Sequence, residues 1–319
     1  MTSEGTKPFT VSIHWLSITV FTHASNLIPV LLKHLLDISL ADPMDWSKHF
    51  VESGSRARYF NSLCFGPLEM RLYRLPRSGG NFCSLEIPGE AIETIGQEAI
   101  VDYLHRLCEG PEKFHVTRLD VAFDGAPFTP ADCHEAWKRG DVRCEADRKS
   151  SKWLENAEGH TLYIGSRSSP RFVRIYDRRG PTRVELELKQ AWADGLATGI
   201  AWMPFEEWRI RAFSYLRQYL DFVDSSAGAS ISRAPLLPWW GAFVGNVERA
   251  TERVKRPDAA LGTLSRARQQ LERMLPSLCV YKQGLGVSLD DLCEQWESRL
   301  KAQHLHKIAE IKRCLGESF

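Results

Sequence analysis

The sequence predicts an α+β fold, an antiparallel sheet with helices mainly on one face, followed by a helical carboxy-terminal region. Three observations carry that prediction. Short runs rich in β-branched and aromatic residues recur through the first two thirds of the chain. Stretches with apolar residues at helical spacing stand between them. From 239 to 319 the pattern is helical throughout.

Phe9 to Phe21 (FTVSIHWLSITVF) has the composition of a strand. From Ser25 to Leu40, Leu27, Leu31, Leu35 and Ile38 form one helical stripe, and a loop follows around Asp42 to Trp46. Phe60–Phe65, Met70–Leu75 and Phe82–Ile87 read as short strands, separated by Gly66-Pro67 and Ser78-Gly79-Gly80. Ala91 to Glu109 is a second helix, with Ile92, Ile95, Ala99, Tyr103 and Leu107 on one face. Strands follow at Phe114–Phe123, Thr161–Gly165, Phe172–Tyr176 and Thr182–Lys189, with a short helix at Asp132–Lys138. Trp208 to Val223 is helical, and Leu261–Leu275 and Leu289–Ile311 are the clearest helices beyond it. Asp224 to Pro238 is rich in Ser, Ala, Gly and Pro. The expected division is therefore a domain over 1–225, a linker over 226–238 and a helical accessory region over 239–319.

Composition narrows the function classes. Hydrophobic residues make up 43% and charged residues 25%, ordinary values for a globular protein. No run approaches the roughly 18 apolar residues of a membrane span. Met1 to Pro8 lacks the apolar core of a signal peptide, so cytoplasmic residence is expected. None of the eight cysteines stands in a CxxC pair, which points to reduced thiols and against a structural zinc site. The net charge is only +1, so nucleic-acid binding has to rest on local charge. Between Arg167 and Lys189 the basic residues Arg167, Arg171, Arg174, Arg178, Arg179, Arg183 and Lys189 outnumber Asp177, Glu185 and Glu187.

Side chains alternate across a strand, so parity sorts each segment into two faces. In VTRLDVAFD, Leu119, Val121 and Phe123 oppose Arg118, Asp120, Ala122 and Asp124. In FVRIYD, Val173 and Ile175 oppose Phe172, Arg174 and Tyr176. In TRVELELK, Val184, Leu186 and Leu188 oppose Arg183, Glu185, Glu187 and Lys189. Each strand alone fits a half-exposed sheet with cross-strand ion pairs. Together they place carboxylates, which suit Mg²⁺ or Mn²⁺, beside arginines suited to phosphate and a tyrosine able to attack a phosphodiester.

The runs TRLDVAFDG (117–125), TLYIGSRSSPRFVRIYDR (161–178) and TRVELELK (182–189) resemble the Rep_trans family of rolling-circle replication initiation factors. IHWLSIT and LEIPGEAIETI extend the likeness, which thins beyond about 225. It implies a sheet related to the ferredoxin-like HUH endonucleases and a metal-dependent DNA nickase that rejoins strands through a 5′-phosphotyrosine. Tyr176 would be the nucleophile. Asp120, Glu185, Glu187 and Asp124 would surround Mg²⁺ or Mn²⁺, with Glu86 a further acid near the metal. Arg118, Arg174, Arg178, Arg183 and Arg167 would contact DNA. Implied partners are origin DNA, host helicase and polymerase, and a second copy in a homodimer, with no membrane. The family often has Asp where this chain has His14, which is either a ligand or structural. Tyr163 is the rival nucleophile, with packing as its plainer role. Gly165-Ser166 is a turn that would let backbone approach a phosphate. Trp239-Trp240 anchors helices or stacks a base, and His304 with His306 lies on a solvated face. A conjugative relaxase has the same chemistry; a DNA-binding regulator without cleavage is the alternative of another class.

Overall fold

The predicted sheet is present and extends beyond the segments the sequence marks. In chain order the strands are β1 (Thr10–Val20), β2 (Val51–Ser53), β3 (Tyr59–Phe65), β4 (Met70–Pro76), β5 (Cys83–Pro88) and β6 (Phe114–Ala126). They continue with β7 (Val142–Cys144), β8 (Lys152–Asn156), β9 (Gly159–Ile164), β10 (Arg171–Asp177), β11 (Thr182–Lys189) and β12 (Leu220–Phe222). The helices are α1 (Ala24–Leu35), α2 (Gly89–Ile95), α3 (Gln97–Glu109), α4 (Pro130–Arg139), α5 (Ala191–Ala201), α6 (Trp208–Tyr219) and α7 (Pro238–Val244). A computed structural model describes residues 10–35, 50–54, 58–157, 159–177, 181–204, 207–228 and 230–250 of the chain.

Ten strands form one antiparallel sheet in the order β2-β3-β4-β5-β1-β6-β11-β10-β9-β8, and β7 pairs with β12 in a second. The parity of the three central strands holds. Leu119, Val121, Phe123, Val173, Ile175, Val184, Leu186 and Leu188 are all fully buried in the core. Burying each such side chain contributes about 1.5–3 kcal/mol. Helix α5 packs on β6 and β11, α2 on β1 and β5, and α4 on β9 and β10.

The differences from the sequence pattern have local causes. The single helix expected over Ala91–Glu109 is two, because Gly96 has φ 98°, a conformation that glycine adopts without strain. The helix expected to reach Val223 stops at Tyr219, and the next three residues pair with β7. β2 and β7, of three residues each, are too short for an alternation pattern, β8 is a mostly exposed edge strand, and α5 (AWADGLATGIA) has no side-chain N-cap.

The expected boundary moves. Asp224 N–H donates to Pro235 O, Leu237 N–H donates to Phe222 O, and Val223 bridges Leu236, tying the supposed linker to β12. Helix α7 then buries Trp240 and Phe243 completely, against Phe128 and, for Phe243, Phe123 and Phe213. The chain divides instead into Met1–Val254 and Lys255–Phe319, and the second unit lies outside the described residues. So do the loop at Asp42–Trp46, the helices expected at Leu261–Leu275 and Leu289–Ile311, and His304 and His306. The five described cysteines are free thiols. No helix among the described residues is long and apolar enough to cross a membrane.

Candidate functional site

The register of the central strands assembles the polar face row by row. Tyr163 on β9 lies opposite Arg174 on β10, which faces Glu185 on β11, Ala122 on β6 and Ser12 on β1. One row along stand Tyr176, Arg183, Asp124 and Thr10. On the other side stand Phe172, Glu187, Asp120 and Trp15.

A β-bulge completes the site. The β1–β6 register shifts between Ile13 and Trp15, so His14 is the extra residue. His14 and Trp15 both lie on the polar face, while Ile13 and Leu16 stay in the core. From the bulge, His14 Nδ1 comes within 3.3 Å of Glu185 Oε1. Two strand spacings of about 4.8 Å separate β1 from β11. The two side chains span them because Ala122, opposite Glu185 on the strand between, has almost no side chain.

Every carboxylate in the cluster meets a cation. Arg118 grips Asp120 with two hydrogen bonds of 2.9 and 2.6 Å and donates a third to Glu187 at 3.1 Å. Lys189 Nζ lies 2.6 Å from the other Glu187 oxygen. Arg174 donates to Glu185 Oε1 and lies 3.6 Å from Asp120. Arg183 holds Asp124 with two bonds of 2.7 Å. Tyr176 O–H donates to Glu185 Oε2 at 3.1 Å. Asp120, Arg183, Glu185 and Glu187 are buried, whereas Arg118 and His14 side chains are each 30% exposed. The acids form a floor beneath partly exposed cations and a phenol.

Burial and charge set the ionisation pattern. Burial pushes the Tyr176 phenol up to about 12, aided by the Glu185 charge and opposed by Arg183, which also hydrogen-bonds it. For Glu185, burial works upward but loses to the His14 hydrogen bond, the Arg174 charge and the bond from Tyr176, leaving it at about 2. For Asp120 burial wins, and with Glu185 and Glu187 nearby it rises to about 6 despite Arg118.

The comparisons with known proteins bear on this arrangement. The family model for replication initiation factors matches residues 114–278, just over half of the chain. The chain belongs to the replication initiation factor family. A solved rolling circle replication initiator protein from Geobacillus stearothermophilus has the same fold, with a TM-score of 0.59 and 22% identity. The likeness covers 76% of this chain and 98% of that one. An aspartate kinase from Clostridium acetobutylicum, at a TM-score of 0.14 and 11% identity over 62% of this chain and 34% of its own, is not a fold relative. No curated protein matches. Family and fold together support a role in initiating replication.

Within this family member, the expected site residues are only partly brought together. Tyr176, Glu185, Arg174, Asp120, Glu187 and Arg118 form one connected network, and Arg183 joins it through Tyr176. Asp124 is turned to Arg183, and Glu86 accepts from Tyr73 at 2.9 Å. Arg178 lies outside the described residues. The four expected metal ligands Asp120, Glu185, Glu187 and Asp124 do not make an open cation site as they stand. Each is taken up by a guanidinium or ammonium, and no group of three His, Cys, Asp or Glu among the described residues is arranged for a metal. A hard divalent cation needs those same oxygens.

The rival tyrosine has a packing role. Tyr163 stacks on Phe172 with ring centres 5.6 Å apart, and Arg167 lies 5.6 Å above Tyr163 and 5.9 Å from Phe172. Gly165 serves packing too. A Cβ there would run into the Tyr219 hydroxyl, so its bareness makes room for Tyr219. Trp240 is an anchor, donating its indole N–H to Asp221 at 3.0 Å. Sequence reasoning missed Trp15, over which Arg118 lies at 4.8 Å, and gave no hint of Gln97.

Proposed function

We propose that this chain nicks and rejoins origin DNA to start rolling-circle replication, with Tyr176 as nucleophile. The observation that carries this is the Tyr176 hydroxyl, hydrogen-bonded to a buried, ionised Glu185 and flanked by Arg174 and Arg183. Such a phenol is aimed, and phosphate oxygens are met by guanidiniums suited to bind them bidentately.

In the proposed reaction the Tyr176 oxygen bonds to phosphorus and the bond from phosphorus to the 3′ oxygen breaks. The 5′ phosphate stays on the tyrosine, the 3′ oxygen takes up a proton, and the phenol gives one up. Reversal by a 3′ hydroxyl reseals the strand without ATP. A phenol near 12 beside a carboxylate near 2 does not hand over its proton at rest. That transfer is strongly uphill, since the Glu185 carboxylate is much the weaker base of the two. Glu185 therefore orients the phenol, and the proton leaves as the new bond forms, with Arg183 and Arg174 stabilising the growing negative charge.

Mg²⁺ or Mn²⁺, which the family resemblance implies, would polarise the scissile phosphate; the carboxylates as placed are not its ligands, and no step above depends on them in that role. Partners under this reading are origin DNA, the helicase and polymerase that use the free 3′ end, and a second copy of the chain.

A nicking assay tests it on supercoiled DNA carrying the protein's own genetic locus, with Mn²⁺, Mg²⁺ or EDTA. Wild type should relax the DNA and remain joined to the 5′ end, and Tyr176→Phe should do neither. Equal nicking by both would transfer the role to Tyr163. Binding without nicking by either would favour the regulator.

A further inference from the structure

We infer that Gln97 is a positioning residue for the site: its side-chain amide pins the β1 bulge that presents His14 to Glu185. The inference rests on the role proposed for Tyr176 and adds a residue to it.

The geometry follows from where β5 ends. Pairing of β1 with β5 begins at Trp15↔Pro88, and the next residue, Gly89, already starts α2. Ile13 pairs with Val121 on its other side, but toward β5 its backbone has no strand to meet. A backbone N–H and C=O left without partners in a sheet interior are each costly. The Gln97 carboxamide takes the place of the absent strand. Its Oε1 accepts from Ile13 N–H at 2.7 Å, and its Nε2 donates to Ile13 O at 3.0 Å. A carboxamide has the same donor and acceptor as a peptide group, so one side chain answers both.

That clamp sits on the residue just before His14, where the register slips. Gly89 fixes the other side. A Cβ on Gly89 would stand 2.7 Å from His14 Nε2 and 2.8 Å from His14 O, so the imidazole lies directly against bare backbone. Confined between the Gln97 clamp and Gly89, His14 Nδ1 reaches Glu185 Oε1, while Glu185 Oε2 accepts from Tyr176. Gln97 thus acts on the nucleophile at third hand, through His14 and Glu185.

The test uses Gln97→Met, which keeps the side-chain length and removes both hydrogen bonds, alongside Gln97→Ala. Two readouts are taken on the full chain: the ring ¹⁵N signals of His14, identified by their loss in His14→Gln, and nicking rate against oligonucleotide affinity. Both Gln97 variants should shift the His14 signals while the other histidines stay in place. Nicking should slow by on the order of tenfold to a hundredfold, with DNA affinity within about twofold. Unchanged His14 signals would overturn the inference, as would loss of every histidine signal, which would make Gln97 a general fold residue. If wild type does not nick, the function proposed above falls, and the His14 signals still decide the role of Gln97.

Discussion

Two carboxylate–arginine networks in this chain are built from the same residue types and come to opposite ends. Asp221 on β12 is fully buried, and its two oxygens accept from Arg143, Arg217 and Trp240 at 2.8–3.4 Å, with Arg249 at 3.8 Å. Those arginines in turn reach backbone carbonyls at Ser232, Val247, Arg217 and Gln218. Nothing in that cluster faces outward with a free reactive group, and it ties β12, β7, α6 and α7 together. On the polar face of the sheet Asp120, Glu185 and Glu187 are buried too, but the phenol of Tyr176 and the side chains of Arg118, Arg174 and His14 remain partly exposed. The difference teaches that an acid sealed in an arginine cage ties elements together, whereas the same cage roofed by a partly exposed phenol leaves a group free for the chemistry proposed for Tyr176.

The comparison can be broken at either network, and the largest expected effect is at Tyr176, the proposed nucleophile. Tyr176→Phe should abolish covalent attachment to DNA while lowering stability in urea by only about 2 kcal/mol, since the partly exposed hydroxyl gives up its bonds with Glu185 and Arg183 at about 1 kcal/mol each. Asp221→Ala should do the reverse. Leaving Arg143 and Arg217 without their buried counter-charge costs about 3–5 kcal/mol. Urea unfolding should show that loss, and any folded fraction should still form the phosphotyrosine. An Asp221→Ala protein of normal stability would mean that its cage is not structural.

A finer probe is Ala122→Leu. The run TRLDVAFDG gives no reason for its alanine until the register sets it opposite Glu185, where Glu185 and His14 meet across it. Leucine there should push them apart. Nicking should fall by on the order of tenfold or more, and overpacking adds about 1–3 kcal/mol of destabilisation. Full activity in Ala122→Leu would show that the contact between His14 and Glu185 is dispensable.

That alanine also shows what the sequence could and could not disclose. Strand parity was legible because β6, β10 and β11 carry long alternating runs, and parity alone puts Tyr176, Glu185 and Asp120 on one face. Register was not legible, since which residue sits opposite which depends on strand order and on the bulge at His14. Strict alternation from Ile13 would put Trp15 on the core side, and the extra residue at His14 moves it to the polar face. Nor could the pattern of acids separate metal ligands from partners of arginine. Both need carboxylates on one face, and only the guanidinium positions distinguish them. The edge strand β8 and the clamp at Gln97 left no pattern at all, because a single amide near Gly96 looks like any surface glutamine.

The mildest test separates the two acids at the centre of the cluster by pH. Glu185 is held at about 2 in the folded chain, below the roughly 4.3 of a free glutamate. Its contribution to stability is complete above that free value and is lost as pH falls toward 2. Asp120 is held at about 6, above the roughly 3.9 of a free aspartate. The folded chain therefore keeps this proton longer than the unfolded one, and stability drops as pH rises from about 4 to about 6, by on the order of 2 kcal/mol. Measured by urea unfolding, wild type should lose stability relative to Asp120→Asn across that window. Relative to Glu185→Gln it should lose stability only below about pH 4.5, in the opposite direction of pH. If both differences ran the same way with pH, Arg118 would be holding Asp120 ionised as firmly as His14 and Arg174 hold Glu185, and the contrast between the two acids would disappear.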